Sequence, residues 1–192
     1  MSSNWLVDAD NPLLTDVALA RIDDARRPDR LTWNVFRTLA LWDTDVWMPR
    51  LLEIACGEGS PLQALEWSGA SVLPWATGSA SEDTADVAVD GPEAVVVART
   101  TLRRDRLVAE LGADGPEALA ADLGARERAL VVVVPPGARD PGADLGAAAG
   151  WLTWRDLGVL ALDLAEEADE LRAEQVHRLA GDLQDQFPGV AL

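Results

Sequence analysis

The amino-acid sequence predicts one α/β domain, residues 1–192, with a mixed sheet of about four strands and helices on both faces. Three observations lead to this prediction. Apolar residues recur at helical spacing over residues 1–56, which indicates N-terminal helices. Short apolar, β-branched runs between turn residues occupy residues 62–134, which we assign to the sheet. Helical spacing returns over residues 151–187 and predicts a C-terminal helical pair.

Three helices are expected before the sheet. The first begins with Asn11 as N-cap and Pro12 at the first helical position, and it ends at Pro28. The third extends from about residue 45 to residue 55. The second begins near residues 29–32, and its apolar side chains form one stripe: Leu31, Val35, Leu39 and Trp42.

The first part of the sheet is expected to hold one strand and a hairpin. The strand lies within residues 62–75, where the pattern does not fix its bounds. The hairpin joins residues 85–89 to residues 94–100 through an Asp-Gly-Pro turn at residues 90–92. Within its second strand, three consecutive valines predict burial on both faces of the sheet.

The next part predicts two helices, one long strand and a loop. The helices cover residues 103–112 and 116–123. Residues 129–134 are uncharged and mostly β-branched, so they form the most strongly predicted strand. A loop rich in Pro, Gly and Ala is expected over residues 135–150.

Two helices are expected at the C-terminal end of the sequence. Thr153 followed by Asp156 has the spacing of a capping box and predicts a helix that continues to about Leu164. An acidic helix follows from about Glu167 to Phe187, where a Pro-Gly pair stops it.

The charge of the chain restricts its partners. The formal net charge is −17, and such a field repels phosphate backbones and anionic membrane surfaces. Nucleic acid is therefore a disfavoured partner, and no membrane association is expected. All basic residues are arginines, so no step that needs a lysine amine can occur.

The chain is expected to be cytoplasmic. Its only cysteine, Cys56, rules out an intramolecular disulfide. Residues 1–12 contain Asp8 and Asp10 and no apolar run, which is unlike a signal peptide. The longest apolar stretch, residues 129–136, is too short to span a bilayer.

Four segments in order resemble those of the PD-(D/E)XK nuclease superfamily and, more narrowly, a bacterial set of proteins with that fold. The resemblance implies a restriction-endonuclease-like fold over most of the chain. The segments are RLTWNVFRTL at residues 30–39, the hairpin with Asp86 and Val97-Ala98-Arg99, RDRL at residues 104–107, and WLTWRDL at residues 151–157.

Nucleases of this superfamily need an Asp on one strand and a Glu and a Lys two residues apart on the neighbouring strand. Residues i and i+2 of a strand lie on one face, so the Glu and the Lys enter the same pocket. The two carboxylates hold Mg²⁺, which activates water, and the Lys stabilises developing charge.

Here the resemblance implies a degenerate site, that is, a pseudoenzyme. Asp86 is retained, but Val97 occupies the Glu position and Arg99 the Lys position. Arg106 stands where many members have Gln, and Asp29 is a candidate replacement for a Glu of the N-terminal helix. We therefore expect the protein to be a non-catalytic binding or assembly partner that holds no metal or other cofactor. Its expected partner is another protein or a second copy of itself.

An active nuclease with a rearranged site is the alternative interpretation. In it, Asp29, Asp86 and either Glu82 or Asp83 hold one Mg²⁺ ion, with Arg99 as the positive charge. The simpler interpretation of Glu82 and Asp83 is that they are solvated loop residues.

The densest basic cluster comprises Arg99, Arg103, Arg104 and Arg106. It is a candidate phosphate-binding patch, and the simpler interpretation is a set of salt bridges on a very acidic protein.

A second alternative is an S-adenosylmethionine-dependent methyltransferase. Residues 51–59, LLEIACGEG, resemble the strand and Gly-rich turn of that family's first motif. An acidic residue at the end of the next strand is missing, and too few further strands are expected.

Cys56 is interpreted as an apolar filler and His177 as a solvated residue of the last helix.

Overall fold

The computed structural model describes residues 29–74, 86–103, 127–138 and 149–192. The helices expected over residues 12–27, 103–112 and 116–123 lie outside these ranges, except for Arg103 itself. The described elements are α1 (Asp29–Leu39), α2 (Thr44–Cys56), a 3-10 helix (Pro61–Ala64), β1 (Ser71–Pro74), β2 (Val87–Asp90), β3 (Ala94–Thr100), β4 (Glu127–Val134), β5 (Ala149–Thr153), α3 (Trp154–Ala165) and α4 (Glu170–Gln186).

The strands form one mixed sheet in the order β1-β2-β3-β4-β5. The first three are antiparallel neighbours, whereas β3, β4 and β5 are parallel. The mixed α/β architecture is therefore confirmed. The hairpin turn closes through a hydrogen bond from the Gly91 amide to the Ala94 carbonyl at 2.9 Å.

The expected number of strands, about four, was too low, because five strands are described. The additional strand is β5, whose first two residues lie in the part of the chain where the sequence predicts a loop, residues 135–150. Its sequence, AGWLT, has little β-branched character, and the segment becomes a strand by pairing with β4, from Leu130 opposite Ala149 to Val134 opposite Thr153.

One face of the sheet packs against the four described helices and forms the main core. Alternate side chains of β2, β3 and β4 point into this core, as strand geometry requires. Burial of each valine in such a core stabilises the fold by roughly 1.5–3 kcal/mol. The sheet residues of this face are Val87, Val89, Ala94, Val96, Ala98, Ala129, Val131, Val133 and Leu152.

The opposite face of the sheet is also buried. Apart from the half-buried Asp90 and Arg99, its described side chains on β2, β3 and β4 are apolar, which explains the apolar runs in β3 and β4. The residues are Ala88, Val95, Val97, Leu130, Val132 and Val134.

Helix α1 is buried on nearly all sides. Residues 31–36 are all buried, and Arg37 is exposed. The helix packs against α3 and α4. The expected stripe is confirmed at Leu31, Val35 and Leu39, and Trp42 follows the helix and is half-buried.

The C-terminal helical pair is confirmed as α3 and α4, which pack against each other. Thr153 caps α3 with the predicted capping box: its hydroxyl accepts from the Asp156 amide at 3.2 Å, and its own amide donates to the Asp156 carboxylate at 2.8 Å. Helix α4 begins at Glu170, later than expected from Glu167, because Asp169 is its N-cap and accepts from the Arg172 amide.

Helix α2 touches β5 at a glycine. A Cβ atom on Gly150 would lie 2.7 Å from the Ala55 carbonyl oxygen and 2.6 Å from the Cys56 Sγ. The close approach of helix and strand therefore requires the absence of a side chain at residue 150. Among the residues described, none of the helices combines the length and the apolar character needed to cross a membrane.

Candidate functional site

The candidate site lies at the edge of the sheet where β3, β4 and β5 end. These three strands are parallel, so their carboxyl ends share this edge, and β2 begins here because it is antiparallel to β3. We call it the carboxyl edge, and its described residues include Asp86, Arg99, Thr100, Arg103 and Thr153. Ligands of open α/β sheets commonly bind outside the carboxyl ends of strands.

Asp86 is tied to the end of β3. This residue is half-buried and immediately precedes β2. The carboxylate Oδ2 accepts the backbone N–H of Thr100 at 2.6 Å and the Thr100 hydroxyl at 3.0 Å. Hydrogen bonds to a charged acceptor are stronger than those between neutral groups, so this carboxylate fastens the two strands of the hairpin together.

The same contact extends to α1 through a second threonine. The Thr32 and Thr100 hydroxyl oxygens lie 2.8 Å apart and are buried. The Thr100 hydroxyl also contacts Asp86 Oδ2, which as a carboxylate oxygen can only accept. Thr32, Thr100 and Asp86 thus form one hydrogen-bonded chain, which we call the threonine–aspartate chain.

Val97 lies on the face of the sheet opposite the main core, between apolar neighbours. Its side chain is 4% exposed, and its neighbours across the two adjacent strands are Ala88 and Leu130. A valine has no atom that can bind a cation. A carboxylate at this position would lose its hydration with no polar group at either neighbouring strand position.

Arg99 and Arg103 supply positive charge near the end of β3. Arg99 shares the face of Val97, is half-buried and lies beside Val132 of β4. Arg103 is exposed beyond the strand, and its backbone is held by the Thr101 hydroxyl, which accepts the Arg103 amide at 3.1 Å. Both arginines take part in further interactions.

Asp86, Val97, Arg99 and Arg103 are thus brought to one end of the hairpin. Asp29 is the first residue of α1, one turn before Thr32, so the helix start lies toward the same edge. The remaining expected site residues, Glu82, Asp83, Arg104 and Arg106, lie outside the described residues.

Three residues of this edge were not singled out from the sequence. Thr32 and Thr100 complete the chain to Asp86. Trp154, which is fully buried, donates its indole N–H to the Thr101 carbonyl at 2.8 Å and so joins α3 to the end of β3. No local pattern marks the contacts of Thr32 with Thr100 and of Trp154 with Thr101, because each joins residues more than 50 positions apart.

Of the residues expected to hold Mg²⁺, only Asp86 has a described side chain. The ion requires several oxygen ligands in near-octahedral geometry. Val97 offers no oxygen, and Asp86 Oδ2 already accepts two hydrogen bonds. Over the described ranges, no group of three or more His, Cys, Asp and Glu side chains is placed to hold a metal.

The methyltransferase-like segment lies largely in the third expected helix, which is confirmed, and it does not form the strand of the motif that it resembles. Residues 51–56 belong to α2, and a turn follows with Gly57 and Gly59 at positive φ. The segment therefore lacks the strand on which the resemblance to a cofactor-binding motif depended.

Cys56 and His177 both lie at exposed positions. The Cys56 thiol packs close to Gly150 of β5, and this partial burial raises the pKa of the thiol. A raised pKa lowers the thiolate fraction at neutral pH, which disfavours a nucleophilic role. His177 lies on α4, with its Nδ1 hydrogen-bonded to the Ala173 carbonyl at 2.6 Å.

No family model, no curated protein and no solved structure matches this chain.

Proposed function

We propose that this protein is a degenerate PD-(D/E)XK nuclease-fold protein that is not a catalyst and acts as a binding or assembly partner. The observation that carries the proposal is the bonding of Asp86. The one acidic residue retained from the nuclease motif has its Oδ2 occupied by the Thr100 amide and hydroxyl. Its role is to join β2, β3 and, through Thr32, α1.

The restriction-endonuclease-like fold is part of the proposal. It is supported by the pairing of β2 with β3, because Asp86 immediately precedes one strand of this hairpin and Val97 and Arg99 lie on the other. The two latter side chains share one face, as the Glu and the Lys of the nucleases do. Helix α1, which contains the first resembling segment, is anchored to this hairpin by the Thr32 contact.

Binding of a metal by Asp86 Oδ2 would compete with the existing hydrogen bonds. Loss of the Thr100 contacts would leave a buried amide and hydroxyl without this acceptor, at a cost of about 1–3 kcal/mol for each group. Val97 adds no ligand to offset that cost. Arg99 provides a positive charge but no ligand for a cation.

A protein partner is favoured over nucleic acid. The net charge of −17 opposes the approach of a phosphate backbone. The partner is either another protein or a second copy of this chain. Sedimentation velocity over a wide concentration range would distinguish self-association from a monomer that needs a different partner.

The test of the non-catalytic assignment is a nuclease assay on double-stranded DNA, single-stranded DNA and RNA with Mg²⁺ or Mn²⁺. Each reaction is repeated with excess chelator and with the Asp86→Asn variant. We expect no cleavage that depends on both the metal and Asp86. Cleavage abolished by chelator and by Asp86→Asn would overturn the proposal and support the alternative, a Mg²⁺-dependent nuclease that uses Asp29 and either Glu82 or Asp83.

A matched control distinguishes loss of a ligand from loss of folding. The Thr100→Val variant removes the hydroxyl that Asp86 accepts and leaves the carboxylate in place. If cleavage is present and survives in Thr100→Val but not in Asp86→Asn, the carboxylate itself is catalytic. If both variants reduce cleavage only in proportion to the folded fraction of the protein, the loss of cleavage reflects unfolding.

A further inference from the structure

We draw no further inference here: the strongest candidate, the 66% exposed Leu171 on the first turn of α4 beside Arg172, which lies over the Trp42 ring, is an unpartnered apolar surface, and nothing in the described part of the structure shows what covers it.

Discussion

The hydroxyl oxygens of Thr32 and Thr100 lie 2.8 Å apart although 68 residues separate them in the chain. Thr32 belongs to α1, and Thr100 is the last residue of β3. The amide and the hydroxyl of Thr100 both donate to the Asp86 carboxylate. The threonine–aspartate chain therefore joins a helix to both strands of the hairpin at the edge where a site is expected. Substitutions in this chain can show whether it contributes to the stability of the fold or to a chemical reaction.

Replacing Thr100 by Val is expected to destabilise the protein by about 1–3 kcal/mol, because the variant leaves Thr32 and Asp86 without the hydroxyl partner. Urea denaturation followed by circular dichroism measures the change. Thr100→Ser is the matched control, because it keeps the hydroxyl and the backbone amide. A Thr100→Val variant as stable as the wild-type protein would contradict this role of the hydroxyl.

Asp86→Asn keeps the shape of the side chain and removes its charge. We expect a loss of about 1–2 kcal/mol, since the hydrogen bonds from Thr100 then reach a neutral acceptor. We also expect Mg²⁺ to leave the melting temperature of both proteins unchanged, because a ligand that binds the native state would raise it. A rise on adding Mg²⁺ that occurs only in the wild-type protein would contradict the structural assignment of Asp86.

Val97→Glu, which introduces the acidic residue of the proposed nuclease motif, is expected to destabilise the fold by about 3 kcal/mol, because position 97 is buried between Ala88 and Leu130. Burial raises the pKa of the introduced carboxyl above its unfolded value. The folded state then binds the proton more tightly, so stability should increase as pH falls through the folded pKa and decrease as pH rises.

Val97→Gln is the control for this substitution, because it has the same length and does not titrate. Its denaturation midpoint should differ from that of the wild-type protein by the same amount at pH 5 and pH 8. A Val97→Glu variant as stable as the wild-type protein at neutral pH would show that this face of the sheet admits a solvated carboxylate, and it would weaken the non-catalytic assignment.

Two glycine substitutions should change stability in opposite directions. Gly150→Ala places a Cβ 2.7 Å from the Ala55 backbone carbonyl, so α2 and β5 must move apart and the protein should lose stability. Gly181→Ala, within α4, meets no atom within 4 Å and should stabilise the protein by about 0.5–1 kcal/mol through helix propensity. Thermal melting of the two variants measures both changes. A Gly150→Ala variant with the melting temperature of the wild-type protein would contradict the close packing of α2 against β5.

Cys56 is expected to react slowly with iodoacetamide at neutral pH. Partial burial raises the pKa of its thiol, so less thiolate is present at any pH below that value. The alkylation rate of the folded protein should rise with pH, with a midpoint above that of the same protein unfolded in urea. A midpoint below that of the unfolded protein would indicate an activated cysteine and reopen a nucleophilic role.

Features that depend on neighbouring residues were predicted correctly. The capping box between Thr153 and Asp156 joins residues three positions apart, and the turn at Gly91 closes the hairpin locally. The apolar stripe of α1 and the long apolar strand β4 also follow from residue type and spacing.

Contacts between distant segments were decided by the tertiary structure. β5 has a weak strand sequence and exists because β4 offers it backbone partners. The bonding of Asp86 to Thr100 and Thr32 could not be predicted, because a carboxylate on a hairpin has the same local pattern whether it faces a metal or a buried amide. The sequence by itself determined which side chains are available for chemistry. The fold decided which of them are already engaged, since hydrogen bonds depend on atomic distances that only the packing of helices against the sheet defines.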